Sequence, residues 1–167
     1  DEKERLEKLL NLEKQFQPLL DDNSFYYLPA CKKFVVREFM GIEIFKPDAV
    51  KIRPEYVDRT IAAGRKIESF LGELSVQNKE FSYLLVLEGN MANDYKGSKS
   101  SDRLDFYTKS YERALAVYNL WLKNGINFRQ YNVEVLISGS GLSGLCRDPV
   151  EENNKRFSIQ IIPKVSK

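Results

Sequence analysis

Apolar residues along the chain alternate in short stretches and recur at helical spacing in longer ones. The short stretches predict strands at 81–87, 131–138 and 157–162. Apolar stripes at helical spacing predict helices over 54–71 and 104–123. One strand-like region precedes the first of these helices, so the order is β-α-β-α-β-β. The sequence therefore predicts an α/β sandwich, in which two helices cover one face of a mixed sheet.

The region before the first of these helices is rich in aromatic and β-branched residues. Such residues predict strands at 25–27, 34–36 and 42–45. Parallel pairing of strands 81–87 and 131–138, with the last strand antiparallel, would bring the loops that follow them to one edge of the sheet. A binding site is expected at that edge.

The first 20 residues are rich in Glu, Lys and Leu and predict a helix that precedes the domain. Its apolar stripe has heptad-like spacing and consists of Leu9, Leu12, Phe16 and Leu19. Two heptads are too few for a stable coiled coil, so the stripe could pack on the domain, form a homodimer seam or continue an upstream stalk. We expect residues 1–23 to be a linker or stalk helix and residues 24–167 to be the domain.

The composition narrows the possible functions. The chain has no histidine, which excludes histidine-based triads and histidine zinc sites. No activated cysteine or recognisable carboxylate pair replaces it, so a hydrolase is the least favoured class and we expect no enzyme, cofactor or metal. The net charge of +2 is too small to predict nucleic-acid binding.

Two cysteines, Cys31 and Cys146, leave a redox question open. A disulfide between them would require an oxidising compartment. Sequence does not show that they meet, and two separate buried thiols are slightly favoured. The chain begins at Asp1 without an initiator methionine, so we expect a signal peptide or membrane anchor upstream.

One glycine motif points away from nucleotide binding. Gly139 to Gly144 fits G-x-G-x-x-G after a strand, but Pro149 follows within a few residues and no helical stripe begins there. We interpret this segment as a loop.

Arg113 is the strongest candidate for a binding residue. It flanks the apolar stripe of the second helix, and a long helical side chain points back toward the helix N-terminus. Its guanidinium could hold a carboxylate with two hydrogen bonds. An internal salt bridge to Asp94 or Asp102 is an equally good interpretation from composition alone.

Several motifs occur in the order of a known family. They are Glu88-Gly89, Ser110-Tyr111-Glu112-Arg113-Ala114 with Val117, Asn124-Gly125-Ile126, Gly139-Ser140-Gly141 and Asn154-Lys155-Arg156-Phe157-Ser158-Ile159. In this order and spacing, residues 33 to 163 resemble the OmpA-like peptidoglycan-binding domain, the family that includes the C-terminal domain of MotB. Residues 41–47 look like the family's opening strand and turn.

The resemblance implies a function and a place in the cell. Domains of this family bind the peptide stem of peptidoglycan, where a motif Asp and a helix Arg hold the charged end of diaminopimelate. It implies a non-catalytic bacterial protein of the periplasm or cell envelope that anchors a membrane-attached protein to the wall. A homodimer through the N-terminal helix, as in motor-stator members, is a further expectation. The alternative is a divergent scaffold domain that has lost wall binding.

The resemblance also implies site residues. Arg113 matches the family's binding Arg, Arg156 matches the second Arg of the late motif, and Ala92 stands where the family has its motif Asp. Asp94 is the candidate to replace that Asp as the partner of the stem-peptide ammonium. The full expected peptidoglycan-binding set is Asn90, Asn93, Asp94, Ser110, Arg113, Asn154 and Arg156.

Overall fold

The computed structural model describes residues 1–93 and 103–165. In these residues, four α-helices accompany one five-stranded sheet. The helices are α1 (Glu2–Lys14), α2 (Gln17–Leu20), α3 (Val57–Gln77) and α4 (Leu104–Lys123). The strands are β1 (Phe25–Leu28), β2 (Lys33–Val36), β3 (Phe81–Gly89), β4 (Val133–Gly139) and β5 (Phe157–Val165). Short 3₁₀ turns connect several of them.

The sheet has the strand order β1-β2-β5-β3-β4. β3 and β4 are parallel and are joined through α4, whereas β5 runs antiparallel to β3 along its whole length. A parallel pair requires a crossover connection, and α4 supplies it with its apolar face toward the sheet. The predicted α/β class, the parallel pair and the antiparallel last strand are confirmed.

The core lies between the helices and one face of the sheet. Alternate residues of β3 point into it, and Phe81, Tyr83, Leu85 and Leu87 are all buried. Trp121 of α4 is fully buried, and its indole N–H donates to a backbone carbonyl of α3 at 2.8 Å. Each such apolar side chain contributes about 1.5–3 kcal/mol through burial.

Two elements differ from those expected from the sequence: one strand is absent and one helix is longer. Residues 42–45 form no strand, and only Phe45 makes a single bridge, to Ile52. The prediction there is wrong because β2 already occupies the position beside β5. Helix α3 continues past Gly72 to Gln77, because burial of Leu74 stabilises a further turn beyond the glycine.

The N-terminal segment lies against the domain from α1, which contacts β5, and its buried contacts come from its second half. Phe16 and Leu19 are buried in the main core, and the Phe16 ring lies 5.7 Å from the ring of Phe70 in α3. The side chains of Leu9 and Leu12 lie outside the description. The stripe therefore packs on the domain at its C-terminal end, while the division at residue 23 stays a prediction.

The two cysteines form a disulfide, with their Cα atoms 6.3 Å apart. The slight preference for separate thiols is wrong. Sequence separation hid the pairing, because the two residues are 115 positions apart and only folding places the β1–β2 turn beside the loop after β4. Within the described ranges, no helix has the length and apolar character needed to cross a membrane.

Candidate functional site

The predicted site residues come from separate stretches that meet at one edge of the sheet. β3 and β4 end there at Gly89 and Gly139, and β5 begins there. The first half of α4 lies directly on this edge: a Cβ on Gly89 would collide with the carbonyl of Ser110, and one on Gly139 with the backbone N of Tyr111. These two glycines therefore let α4 bring its side chains down to the loops.

Arg113 is buried at this edge, with 1% of its surface exposed. Its Nε, Nη1 and Nη2 groups donate to the backbone carbonyls of Ala49 (2.9 Å), Asn90 (3.0 Å) and Lys46 (3.1 Å). The guanidinium carbon also lies 4.9 Å from the centre of the Phe45 ring. We call these three carbonyls the Arg113 cage, and they join α4 to the loop after β3 and to residues 46–49.

Ser110 and Asn90 bind neighbouring loops in the same way. The fully buried Ser110 hydroxyl donates to the carbonyl of Tyr107 and accepts from the N–H of Gly141 at 2.8 Å. The Asn90 carboxamide donates to the hydroxyl of Ser140 at 2.6 Å and to Glu88 at 3.1 Å. Both predicted residues thus stand in the site, in contact with backbone and neighbouring side chains.

Sequence reasoning did not find the ion pair beside them. Lys33 of β2 donates to both carboxylate oxygens of Glu88, at 3.1 and 3.2 Å, and to the carbonyl of Leu145. The two side chains are only 9% and 14% exposed. No local spacing could reveal this pair, because Lys33 and Glu88 are far apart in the sequence and lie on strands that β5 separates in the sheet.

Arg156 interacts electrostatically with Glu88 and is 8% exposed. Its Nη2 donates to the carbonyl of Cys146 at 2.9 Å, whereas its buried Nε has no hydrogen-bond partner among the described residues. Burial lowers the pKa of the Arg156 guanidinium below its usual range. An arginine with an unsatisfied buried N–H has capacity to bind a further acceptor.

The loop between β4 and β5 is held by polar contacts, and two predicted residues take part, one through its side chain and one through its backbone N–H. Asn154 is buried and pairs with both the N–H and the carbonyl of Asp148. The N–H of Asn93 donates to Glu151, which also accepts from Arg147 at 2.7 Å. These contacts fix the loop that carries Cys146.

The position of the family's motif Asp is apolar here. Ala92 is 7% exposed, and the preceding Met91 packs with Phe106 and Leu142 in a small second core. Asp94, the proposed substitute, lies outside the described residues. Residues 1–93 and 103–165, which the structure describes, contain no group of three or more His, Cys, Asp or Glu side chains that could hold a metal ion.

Fold and site together define an α/β domain whose charged and amide side chains are gathered at the carboxyl edge of a parallel strand pair. No protein-family model matches the chain, and no curated protein matches it by sequence.

Solved structures do match. A putative MotB-like protein from Desulfovibrio vulgaris is 14% identical over 95% of this chain and 91% of that one, with a TM-score of 0.44. The periplasmic domain of Helicobacter pylori MotB is 13% identical over 82% and 86% of the two chains, with a TM-score of 0.48. The OmpA-like domain of FopA1 from Francisella tularensis is 14% identical over 86% and 80%, with a TM-score of 0.41.

These matched structures are of the kind that the motif resemblance names.

Proposed function

We propose that this chain is a non-catalytic domain of the bacterial cell envelope that associates with peptidoglycan. The observation that carries the proposal is the convergence of the motif residues: Asn90, Ser110, Arg113, Asn154 and Arg156 come from three separate stretches and meet at one sheet edge. The Cys31–Cys146 disulfide supports an oxidising compartment such as the periplasm.

The finer proposal is that this edge binds a carboxylate of the stem peptide. A carboxylate could reach Arg113 only by displacing a carbonyl of the Arg113 cage, since the guanidinium is 1% exposed. It would be the stronger acceptor, because charge-assisted hydrogen bonds are stronger than neutral ones. Arg156 is a second candidate donor through its Nε–H, which has no hydrogen-bond partner among the described residues. Asp94 remains the proposed partner of the ammonium.

Such a complex is expected to be weak, because one charge-assisted contact contributes only about 1.5–3 kcal/mol. Arg113 and Arg156 are 1% and 8% exposed, so salt should weaken a contact to them much less than a contact between exposed charges. Anchoring of an upstream membrane segment and a homodimer through α1 belong to the same proposal.

A second candidate function is a scaffold module of an envelope complex without a wall site. Two observations favour it: Ala92 replaces the motif Asp, and Arg113 already donates to three backbone carbonyls. Cosedimentation with purified peptidoglycan sacculi separates the two functions, because only a wall-binding domain would be retained.

Three variants locate the binding contact. Arg156→Gln and Arg113→Ala should each abolish retention, and Ala92→Asp should increase it by restoring an acidic partner. The exposed Arg65 of α3 provides a matched control, Arg65→Ala, that should bind as the unchanged protein does. Thermal unfolding of each variant is measured alongside, because loss of retention counts only for a folded protein. Unchanged retention of both folded arginine variants would contradict the stem-peptide proposal.

A further inference from the structure

Helix α4 is apolar on two sides, and only one of them faces the core. Its inner side buries residues such as Val117 and Trp121. Its outer side carries four large apolar side chains at helical spacing, each between 42% and 77% exposed. They are Leu104, Tyr111, Leu115 and Leu122, which we call the outer stripe. A surface helix normally places polar residues on this side, so the outer stripe indicates an interface.

A groove follows the outer stripe along the C-terminal half of α4. It encloses about 550 Å³ between the helix and Val50, in the segment before α3. Leu115 and Leu122 give the groove apolar walls, and Glu112 and Asn119 add polar atoms to its lining. Grooves of this kind beside a helix receive the side-chain ridge of another helix.

Two opposite charges lie beside the outer stripe on one line of the helix. Glu112 and Lys123 are both exposed and are about three helical turns apart, so they project from the same side of α4. That separation is about 16 Å along the axis, which is too long for an ion pair within one helix. A parallel second α4 would place like charges opposite each other, whereas an antiparallel one places each charge opposite its counter-charge.

We propose that α4 pairs with α4 of a second copy of this chain, antiparallel and about a two-fold axis between Val117 and Tyr118. Glu112 then lies opposite Lys123 of the partner subunit. In the same register, Leu115 falls between Tyr118 and Leu122 of the partner subunit, so the apolar side chains interdigitate. The two-fold axis repeats each contact and closes the assembly at two subunits.

The second copy is the occupant that the outer side of α4 fits best, because this side is complementary to itself in charge and in shape. The interface is small, since α4 is only about 30 Å long and stable complexes bury about 1,200 Å² or more. The dimer is therefore reversible, with a dissociation constant between about 1 μM and 1 mM.

Sedimentation velocity of the full chain, in a concentration series up to about 1 mM, tests for a monomer–dimer equilibrium. Leu115→Glu should weaken dimerisation by about tenfold or more, because it places a charge at the centre of the apolar contact. Val76→Glu at the end of α3 replaces an equally exposed kind of side chain and should leave the equilibrium unchanged. A chain that stays monomeric, or a Leu115→Glu variant that dimerises normally, would overturn the proposal.

Charge exchange tests the antiparallel register. Glu112→Lys and Lys123→Glu should each weaken self-association by about fivefold, because each places like charges opposite each other. An equal mixture of the two variants restores both ion pairs and should dimerise as well as the unchanged protein. The control mixture of Glu112→Lys with Lys79→Glu has the same net charges and should show no recovery. If the first mixture also failed to recover, the register would be wrong.

A final variant separates this contact from a dimer through α1. Leu10 of α1 is 65% exposed, so Leu10→Glu is expected to fold. Dimerisation that is lost in Leu10→Glu and retained in Leu115→Glu would assign the interface to α1 and overturn the proposal. None of these measurements involves peptidoglycan, so their outcome is distinguishable from that of the sacculus experiment.

Discussion

Two arginines at the same sheet edge are buried to a similar degree but are satisfied very differently. Arg113 on α4 donates to three carbonyls that belong to two loops. Arg156, just before β5, donates to the carbonyl of Cys146 and has an Nε without a hydrogen-bond partner among the described residues. A saturated guanidinium holds the fold together, whereas an undersatisfied one retains capacity for a ligand.

The largest expected effect comes from removing the disulfide. This change also affects Arg156, because the carbonyl of Cys146 accepts a hydrogen bond from the Arg156 guanidinium. Replacing both cysteines by Ser should lower the free energy of unfolding by about 4 kcal/mol, since the bond closes a loop of more than 100 residues. Urea unfolding measures the change. A loss below about 1 kcal/mol would mean that the turn and the loop are held together without the bond.

Arg113→Ala is expected to lower the free energy of unfolding by about 3 kcal/mol, because it leaves three buried carbonyls without their charged donor. Urea unfolding is again the measurement. The exposed Arg65→Ala control should change stability by less than about 0.5 kcal/mol. If the two variants were equally stable, the Arg113 cage would not hold the loops.

Leu19→Ala sets the scale for an ordinary core side chain far from either arginine. Leu19 is 3% exposed, so its truncation should cost about 2 kcal/mol. The same measurement tests the N-terminal boundary, because a side chain of an independent linker would cost nothing. The exposed Leu10→Ala in α1 is the matched control and should have almost no effect.

Arg156→Ala should have the smallest effect of the four, about 1 kcal/mol, because it removes one hydrogen bond and also removes a buried, unsatisfied N–H. Arg156→Ala should abolish sacculus retention although it lowers the free energy of unfolding only slightly. If Arg156→Ala destabilised the protein as much as Arg113→Ala, the proposed difference between the two arginines would be wrong.

The fold was predicted well from the sequence because its signals are local. The stripe of α4 and the alternation in β3 and β5 each depend on residues a few positions apart, so the elements follow from local patterns. The parallel pair and the antiparallel last strand were assumed from the order of these elements, and the structure has both. The strand expected at 42–45 failed because pairing is a competition: Phe34 of β2 occupies the place beside Ile159, and Phe45 is left with one bridge.

The site was predicted only as a set of positions. The motif order placed Arg113, Ser110 and Asn154 at one edge, but long-range contacts decided what each side chain does there. Burial of the Arg113 guanidinium among carbonyls depends on residues 46–49, which lie more than 60 positions away. The Lys33–Glu88 pair likewise joins strands that are distant in sequence.

By itself the sequence determined most of the secondary structure and the absence of histidine chemistry, because these follow from residue type and short-range spacing. The edge residues came from the order of the motifs in the family that the chain resembles. Tertiary structure alone decided that Cys31 meets Cys146, that Arg113 is saturated while Arg156 is not, and that the outer stripe of α4 stays exposed. Each of these depends on which distant segments share the limited space around a side chain. Hydrogen-bond partners and packing neighbours are settled only when the whole chain has folded.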